Sequence, residues 1–275
     1  MSCNHTSSLN FEDLLSCAKK TAQETGLHAL RQSHRRHEVV QSFAHDVKLK
    51  LDFECQEVAE DIIRSRFPDH GILGEESVAP PSETKFLWII DPIDGTVNFF
   101  HGLPLWCCSI AVQNEGKLIA GAVYAPVMEE CYTACVGKPA LCNEKQIAVS
   151  EIQRLDQAII STGLHKNNKN LPESIKLFTR MAMKTQKLRV MGSSALDICH
   201  VASGKADGYY ESSIYLWDVA AGSVIVKQAG GHSEILESYD GNRMRFMATN
   251  GHLHESLKQT LTPVPETLLS HKGTE

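Results

Sequence analysis

The stretch "WIIDPIDGTVNF", Trp88 to Phe99, limits more than any other what this chain can fold into. Trp88, Ile89 and Ile90 read as the end of a buried strand, and Asp91 and Asp94 follow at once. Two carboxylates this close in a partly desolvated place repel each other and resist ionisation. The fold must therefore neutralise them or give them a ligand. Pro92 has no N–H for a ladder, so the strand is expected to stop at Asp91. Gly95 permits close backbone approach, and Thr96 is expected to cap the helix that follows. Asp91, the Ile93 carbonyl, Asp94 and the Thr96 hydroxyl form a compact set of hard oxygen donors. Mg²⁺ prefers such donors and keeps some of its water.

Two further acid sites share this layout. Glu75 and Glu76 follow a short apolar run and a glycine, and Asp218 opens a small-residue helix. If Glu75, Asp91, Asp94 and Asp218 converge, they would hold two or three divalent cations. Two such ions about 3.5–4 Å apart can clamp the attacking and leaving oxygens of a phosphoryl displacement. The N–H groups of Gly95 and Thr96, at a helix start, would suit the phosphate. Taken singly, each acid also has a structural reading. Asp218 fits a helix cap, Glu75–Glu76 a solvated turn, and the pair in "DPIDGT" an Asx turn.

The rest of the chain mixes helices with hairpin-connected strands. Residues 9 to about 33 carry Leu14, Leu15, Ala18, Ala22 and Leu27 on one stripe and read as a helix. "RQSHRRHE", Arg31 to Glu38, fits its solvated end, where cations suit the dipole, with an anion site or subunit contact as the other reading. "HDVKLKLD", His45 to Asp52, alternates with period two, as a strand does. Cys55, Val58, Ala59, Ile62 and Ile63 then mark a helix face that "FPDHG" stops. "ILGEES" is a short strand and "APPSE" a loop. "KFLWII" is a strand, and "CCSIAVQ" and "LIAGAVYAP" flank the four-residue turn "NEGK" as a hairpin. "EECYTACVG" continues the meander, and "QAIIST" is a further strand. Pro172 suits the first turn of a helix running to about Lys184. "MGSSALDICHVASG" reads as a helix capped by Ser194 and closed by Gly204. "ADGYYES" is extended, and Asp218 caps a helix that closes at Gly230–Gly231. These elements predict layered α and β structure, not a doubly wound sheet.

With 275 residues the chain can bury a large core, as one domain or two joined halves. Its formal charge of −6 excludes the basic field of a general nucleic-acid or membrane-surface binder. Bound metal ions would still let it take an anionic substrate. The first residues lack the basic and apolar regions of a secretory signal, and no apolar run is long enough to span a bilayer. Nine scattered cysteines, an odd number, fit reduced thiols in a cytoplasm.

"GEES", "WIIDPIDGTVNF" and "YYESSIYLWDVAAG", in that order, strongly resemble the motifs of the inositol monophosphatase family of metal-dependent, lithium-sensitive phosphatases. The resemblance runs from about Asp46 to Gly231. It implies an α/β fold of layered α+β type, an αβαβα sandwich, in a homodimer with two or three Mg²⁺ ions. Residues 1–262 would form one catalytic domain with halves of about 1–150 and 151–262, followed by a polar tail over 263–275. By motif, Glu75, Asp91, the Ile93 carbonyl, Asp94 and Asp218 match the metal ligands. Thr96 matches the threonine that activates the nucleophilic water, with Asp52 as its partner. Gly95 and Thr96 match the phosphate-binding amides, and Asp94 and Asp218 also line the substrate site. Glu211 matches a glutamate that receives a substrate hydroxyl, and Ser194 stands where the family offers a backbone group to the ring.

The implied reaction is hydrolysis of a small phosphorylated polyol, inositol 1-phosphate first, by a metal-activated water. Histidinol phosphate is the alternative substrate, ahead of fructose bisphosphate or a 3′-phosphorylated adenosine nucleotide. The chain departs from the family at "DVKLKLD", where Leu49 replaces a threonine, and at Gln41, near the place of a lysine. Asp52 there is as well explained by helix capping as by catalysis. Lys48 and Lys50 are expected on its face, holding it ionised. These departures and the basic "RQSHRRHE" leave a second class open, a non-catalytic regulatory protein that keeps the fold.

Overall fold

The computed structural model describes residues 11–43, 46–76, 84–164, 171–239 and 241–262. In chain order the first elements are α1 (Phe11–Arg31), β1 (Val39–Ser42), β2 (Val47–Leu49), α2 (Lys50–Arg66), β3 (Gly71–Gly74), β4 (Phe86–Asp94) and α3 (Thr96–His101). A meander follows: β5 (Cys107–Asn114), β6 (Lys117–Ala125), β7 (Glu130–Cys135), β8 (Leu141–Cys142) and β9 (Lys145–Gln146). Then come β10 (Ile159–Thr162), α4 (Leu171–Lys184), β11 (Lys187–Arg189), α5 (Ser194–Ala202) and β12 (Gly208–Tyr215). The last are α6 (Leu216–Gln228), β13 (His232–Ser238), β14 (Arg243–Thr249) and α7 (His254–Leu261).

Strand periodicity explains why Trp88, Ile89 and Ile90 are all apolar. Successive side chains point to opposite faces of a sheet, so a strand covered on both sides is apolar throughout. β4 lies second in a sheet ordered β3-β4-β5-β6-β7-β8-β9, in which β3 and β4 are parallel and the other pairs antiparallel. Trp88 and Ile90 pack with Ile110, Val112 and Ala122 against Leu14 and Ala18 of α1 and Ile63 of α2. Ile89, Ala111 and Val123 face the other way, onto Ile198 of α5 and Ala221 and Ile225 of α6.

Beyond α5 and α6 lies the second sheet, ordered β11-β10-β12-β14-β13. Its inner face joins the same core through Tyr209, Phe246 and Ala248. Its outer face holds Ile160, Tyr210 and Met247 against Leu177 and Met181 of α4 and Leu257 and Leu261 of α7. The layers thus run α1/α2, first sheet, α5/α6, second sheet, α4/α7, which is the expected αβαβα sandwich.

Several boundaries differ from the sequence reading. β4 does not stop at Asp91 but continues to Asp94, with a register shift between those residues against β5. A bulge accommodates Pro92, because the displaced residue owes no hydrogen bond to the ladder. "HDVKLKLD" is a strand only over Val47–Leu49, and Lys50 starts α2. Leu51, Cys55, Ala59 and Ile63 are buried at four-residue spacing, a helical pattern that overrides the alternation. The β5–β6 turn is also tighter than expected, with both strands reaching into "NEGK". Cys107, Cys108, Cys131 and Cys135 are buried free thiols on β5 and β7. Residues 9 and 10, His45, Ser77, the "APPSE" stretch and the 263–275 tail lie outside the described residues.

Candidate active site

Three elements deliver carboxylates to one place. β3 and β4 run parallel with Gly74 opposite Ile90, so Glu75 emerges beside Asp91, and its N–H donates to the Ile90 carbonyl (3.1 Å). Asp218 stands in the first turn of α6, where its Oδ2 accepts the Tyr215 N–H at 2.9 Å. It is therefore the third residue of the helix it was expected to cap, and it reaches back to the residue before the helix. The ligand oxygens of Glu75, Asp91 and Asp218 all lie within 4.8 Å of one another.

This cluster is electrostatically uncomfortable without cations. Burial pushes all three carboxyls well above their usual range, and mutual repulsion adds to it, from Asp218 on Glu75 and from Glu75 on Asp91. Asp91 and Asp218 meet in a hydrogen-bonding contact that requires a proton on one of them. Lys48 lowers Glu75 somewhat, but its ammonium is bonded to the buried Glu76 at 2.7 Å. An all-oxygen, mutually repelling donor set is what a hard divalent cation satisfies. The residues present fit such an ion.

Asp94 is placed differently. Its Oδ2 accepts the Ser193 hydroxyl (2.6 Å), the Ala195 N–H (2.8 Å) and the Cys107 thiol (3.5 Å), and its Oδ1 accepts the Ser194 N–H (3.2 Å). Burial raises its carboxyl, and these four donors pull the other way. Ser193, not Ser194, precedes α5, and its hydroxyl makes no cap bond because it is spent on Asp94. Ser194 is the first helical residue.

Gly95, not Thr96, is the residue before α3, in the left-handed region at φ 94°. A Cβ there would stand 3.0 Å from the carbonyl oxygens of Gly192 and Leu105, so only glycine fits this approach. The Thr96 hydroxyl donates to the Ile93 carbonyl at 3.0 Å, closing the loop between the two aspartates.

Asp52 is buried at the third position of α2, and its Oδ2 accepts the Leu49 N–H at 2.7 Å. Its Oδ1 is buried with no hydrogen-bond partner among the described residues. Burial pushes its carboxyl up to about 7, which the Leu49 N–H and Lys48 only partly oppose. Lys48 and Lys50 do not hold it ionised as expected, because Lys48 is bonded to Glu76 and Lys50 faces Glu54 at 3.8 Å.

Glu211, on β12, accepts the Tyr209 hydroxyl at 2.5 Å, and the same hydroxyl lies 2.8 Å from Ser194 Oγ. Burial lifts the Glu211 carboxyl to about 7 against the pull of Tyr209, with the Asp94 charge adding to the rise. Ser193 and Tyr209 escape sequence reasoning as parts of this site. The period-two spacing of "YYE" could have suggested Tyr209, since it shares a strand face with Glu211.

The model of the inositol monophosphatase family matches residues 10–265. An inositol-1-monophosphatase of Synechocystis sp. is 37% identical over 230 residues, covering 81% of this chain and 79% of that protein. A Nus factor SuhB of Pasteurella multocida is 33% identical over 245 residues, covering 87% and 90% respectively. Among solved structures, the inositol monophosphatase from Anabaena (Nostoc) sp. PCC 7120 superposes with a TM-score of 0.80 at 32% identity, over 93% of this chain and 98% of that one.

Proposed function

The chain belongs to the inositol monophosphatase family and is a phosphatase; from that premise we propose that it hydrolyses a small phosphorylated polyol, inositol 1-phosphate first, with Mg²⁺ as cofactor. The observation that carries this is the convergence of Glu75, Asp91 and Asp218 from three elements into a group short of cations. These side chains and the Ile93 carbonyl would hold the first ions, and Asp94 would be a ligand to a further one. Bound there, the metal supplies Lewis acidity to the phosphoryl oxygens and to the attacking water. The amides of Gly95 and Thr96 would take the phosphate at the start of α3.

Thr96 would orient the water once its hydroxyl turns from the Ile93 carbonyl to Asp52. The Asp52 Oδ1 has no hydrogen-bond partner among the described residues, and its carboxyl, pushed to about 7, would take the Thr96 proton as Thr96 takes that of the water. Glu211 and the Ser194 backbone would receive the hydroxyls of the leaving group, and Asp94 and Asp218 would line the same space. We read residues 1–262 as one catalytic unit acting as a homodimer in the cytoplasm, on a small-molecule substrate and without nucleic acid or membrane. Among the described residues, no helix is long and apolar enough to cross a membrane.

A regulatory role has one specific support, the relative named Nus factor SuhB. A phosphate-release screen with Mg²⁺ separates the readings. Inositol 1-phosphate, histidinol phosphate, fructose 1,6-bisphosphate and adenosine 3′,5′-bisphosphate would be compared, with lithium as inhibitor. The expected result is turnover of inositol 1-phosphate that lithium suppresses and Asp91→Asn abolishes. Preference for the nucleotide would overturn the substrate, and activity that survives Asp91→Asn would overturn the metal site.

A further inference from the structure

Glu211 is gripped by two residues to which the reaction above gives no role. Tyr209 and Glu211 alternate with Tyr210 along β12, so they share one face of the sheet while Tyr210 packs on the other. The Tyr209 ring is fully buried in the core shared with α5 and α6, its centroid 6.5 Å from that of Phe246. A buried phenol needs a hydrogen-bond partner, and this one finds Glu211 Oε2 at 2.5 Å, with Ser194 Oγ 2.8 Å from the phenol oxygen and, as a weaker donor, 3.5 Å from the same carboxylate oxygen. Glu211 Oε1 makes no hydrogen bond among the described residues.

The second contact is with backbone. Gly163 follows β10, which runs parallel beside β12. A Cβ on Gly163 would stand 2.2 Å from Glu211 Oε2 and 2.4 Å from Oε1. The carboxylate therefore lies flat on the Gly163 backbone, and any side chain there would displace it. Asp94, Asp197 and Asp218 all face Glu211 with like charge. Repulsion of that kind would swing a free glutamate outward, so holding it in place takes donors on one side, the Tyr209 hydroxyl the shorter of them, and bare backbone on the other.

We propose that Tyr209 and Gly163 are positioning residues that lock Glu211, committing one oxygen to the protein and presenting the other to the leaving group, and so set the preference for esters of hydroxyl-bearing alcohols. This rests on the reading of Glu211 as a substrate-binding residue. A carboxylate fixed in its bound rotamer loses little freedom when a hydroxyl arrives, which is where selectivity is gained.

The test uses the full chain with Mg²⁺ and two esters, inositol 1-phosphate and phenyl phosphate, which has no hydroxyl on its leaving group. Tyr209→Phe keeps the ring and removes only the O–H. It is expected to raise KM for inositol 1-phosphate about 10-fold, change kcat less than about 2-fold, and leave phenyl phosphate within about 2-fold. Gly163→Ala should produce the same split through a different contact. Adding Tyr209→Phe to Glu211→Gln should cost nothing further, because the two act as one unit. Equal losses on both esters, additive losses in the double variant, or no change in either ester would overturn the inference while leaving the phosphatase in place. A wild type inactive on both esters would overturn the substrate reading and this inference together.

Discussion

Asp91 and Asp94 leave the same strand end, yet the protein surrounds them with opposite chemistry. Asp91 meets acceptors: Glu75 and Asp218 crowd it, and its one backbone donor among the described residues is the Ile93 N–H at 3.1 Å. Asp94 meets donors: a hydroxyl, a thiol and two amides at the start of α5. The first arrangement is unstable as it stands and calls for cations. The second is satisfied by the protein itself and ties the β4 bulge to a helix in the next layer. Sequence spacing makes the two acids look like a matched pair, and their hydrogen-bond partners separate them.

If that contrast holds, substitution at the two positions should move stability in opposite directions. Asp91→Asn should lower Mg²⁺-dependent kcat/KM on the order of 10³-fold, since it would remove a proposed ligand to a metal that stabilises the transition state. It should also raise the Tm of the protein in chelator, because one repelling charge is gone. A lower Tm would mean that the cluster is stabilising without metal and would erase the contrast.

Mg²⁺ itself is the next largest probe. Saturation at about 100 times the dissociation constant should stabilise the fold by about 2.7 kcal/mol, read as a shift in urea midpoint. The pH dependence should reverse with it. In chelator, Glu75, Asp91 and Asp218 have folded-state carboxyls raised above their unfolded values. Their contribution is fully present below the unfolded value of about 4 and is lost as pH rises. Asp52 and Glu211, at about 7, add to the same trend between the ordinary carboxylate range and neutrality. The metal-free protein should thus be more stable at mildly acid pH than at pH 8, whereas the gain from Mg²⁺ should shrink as protons compete for the ligands.

Asp94→Asn should destabilise the chelated protein by about 2 kcal/mol, since an amide cannot accept from all four donors. Ser193→Ala removes one of those donors and should cost about 1 kcal/mol, with Asp94 titrating higher by NMR. A Ser193→Ala protein as stable as wild type would show that the α5 contacts do not hold the bulge.

The departures at "DVKLKLD" and at the helix starts share a cause. Asp52 and Asp218 each sit in the first turn and accept the N–H of the residue before the helix. Sequence identifies such acids as helix-start residues but places them three positions early, because a carboxylate can serve the backbone from either place. The basic "RQSHRRHE" segment is a similar case. Arg35 forms a fork with Glu38 and Glu54, so part of its charge is used within the protein.

Sequence alone determined the layered class, the strand leading to Asp91, and the identity of the acids that form the cluster, since period and residue chemistry are local properties. It also marked Gly95, because the residue after the second acid was expected to allow close backbone approach, which a Cβ would obstruct. Only the tertiary structure decided which carboxylates face each other and which are satisfied by donors. Ser193, Ala195 and Cys107 reach Asp94 from other elements, and Gly163 reaches Glu211 from the neighbouring strand. Such contacts depend on how sheets and helices stack, and no spacing along the chain encodes them.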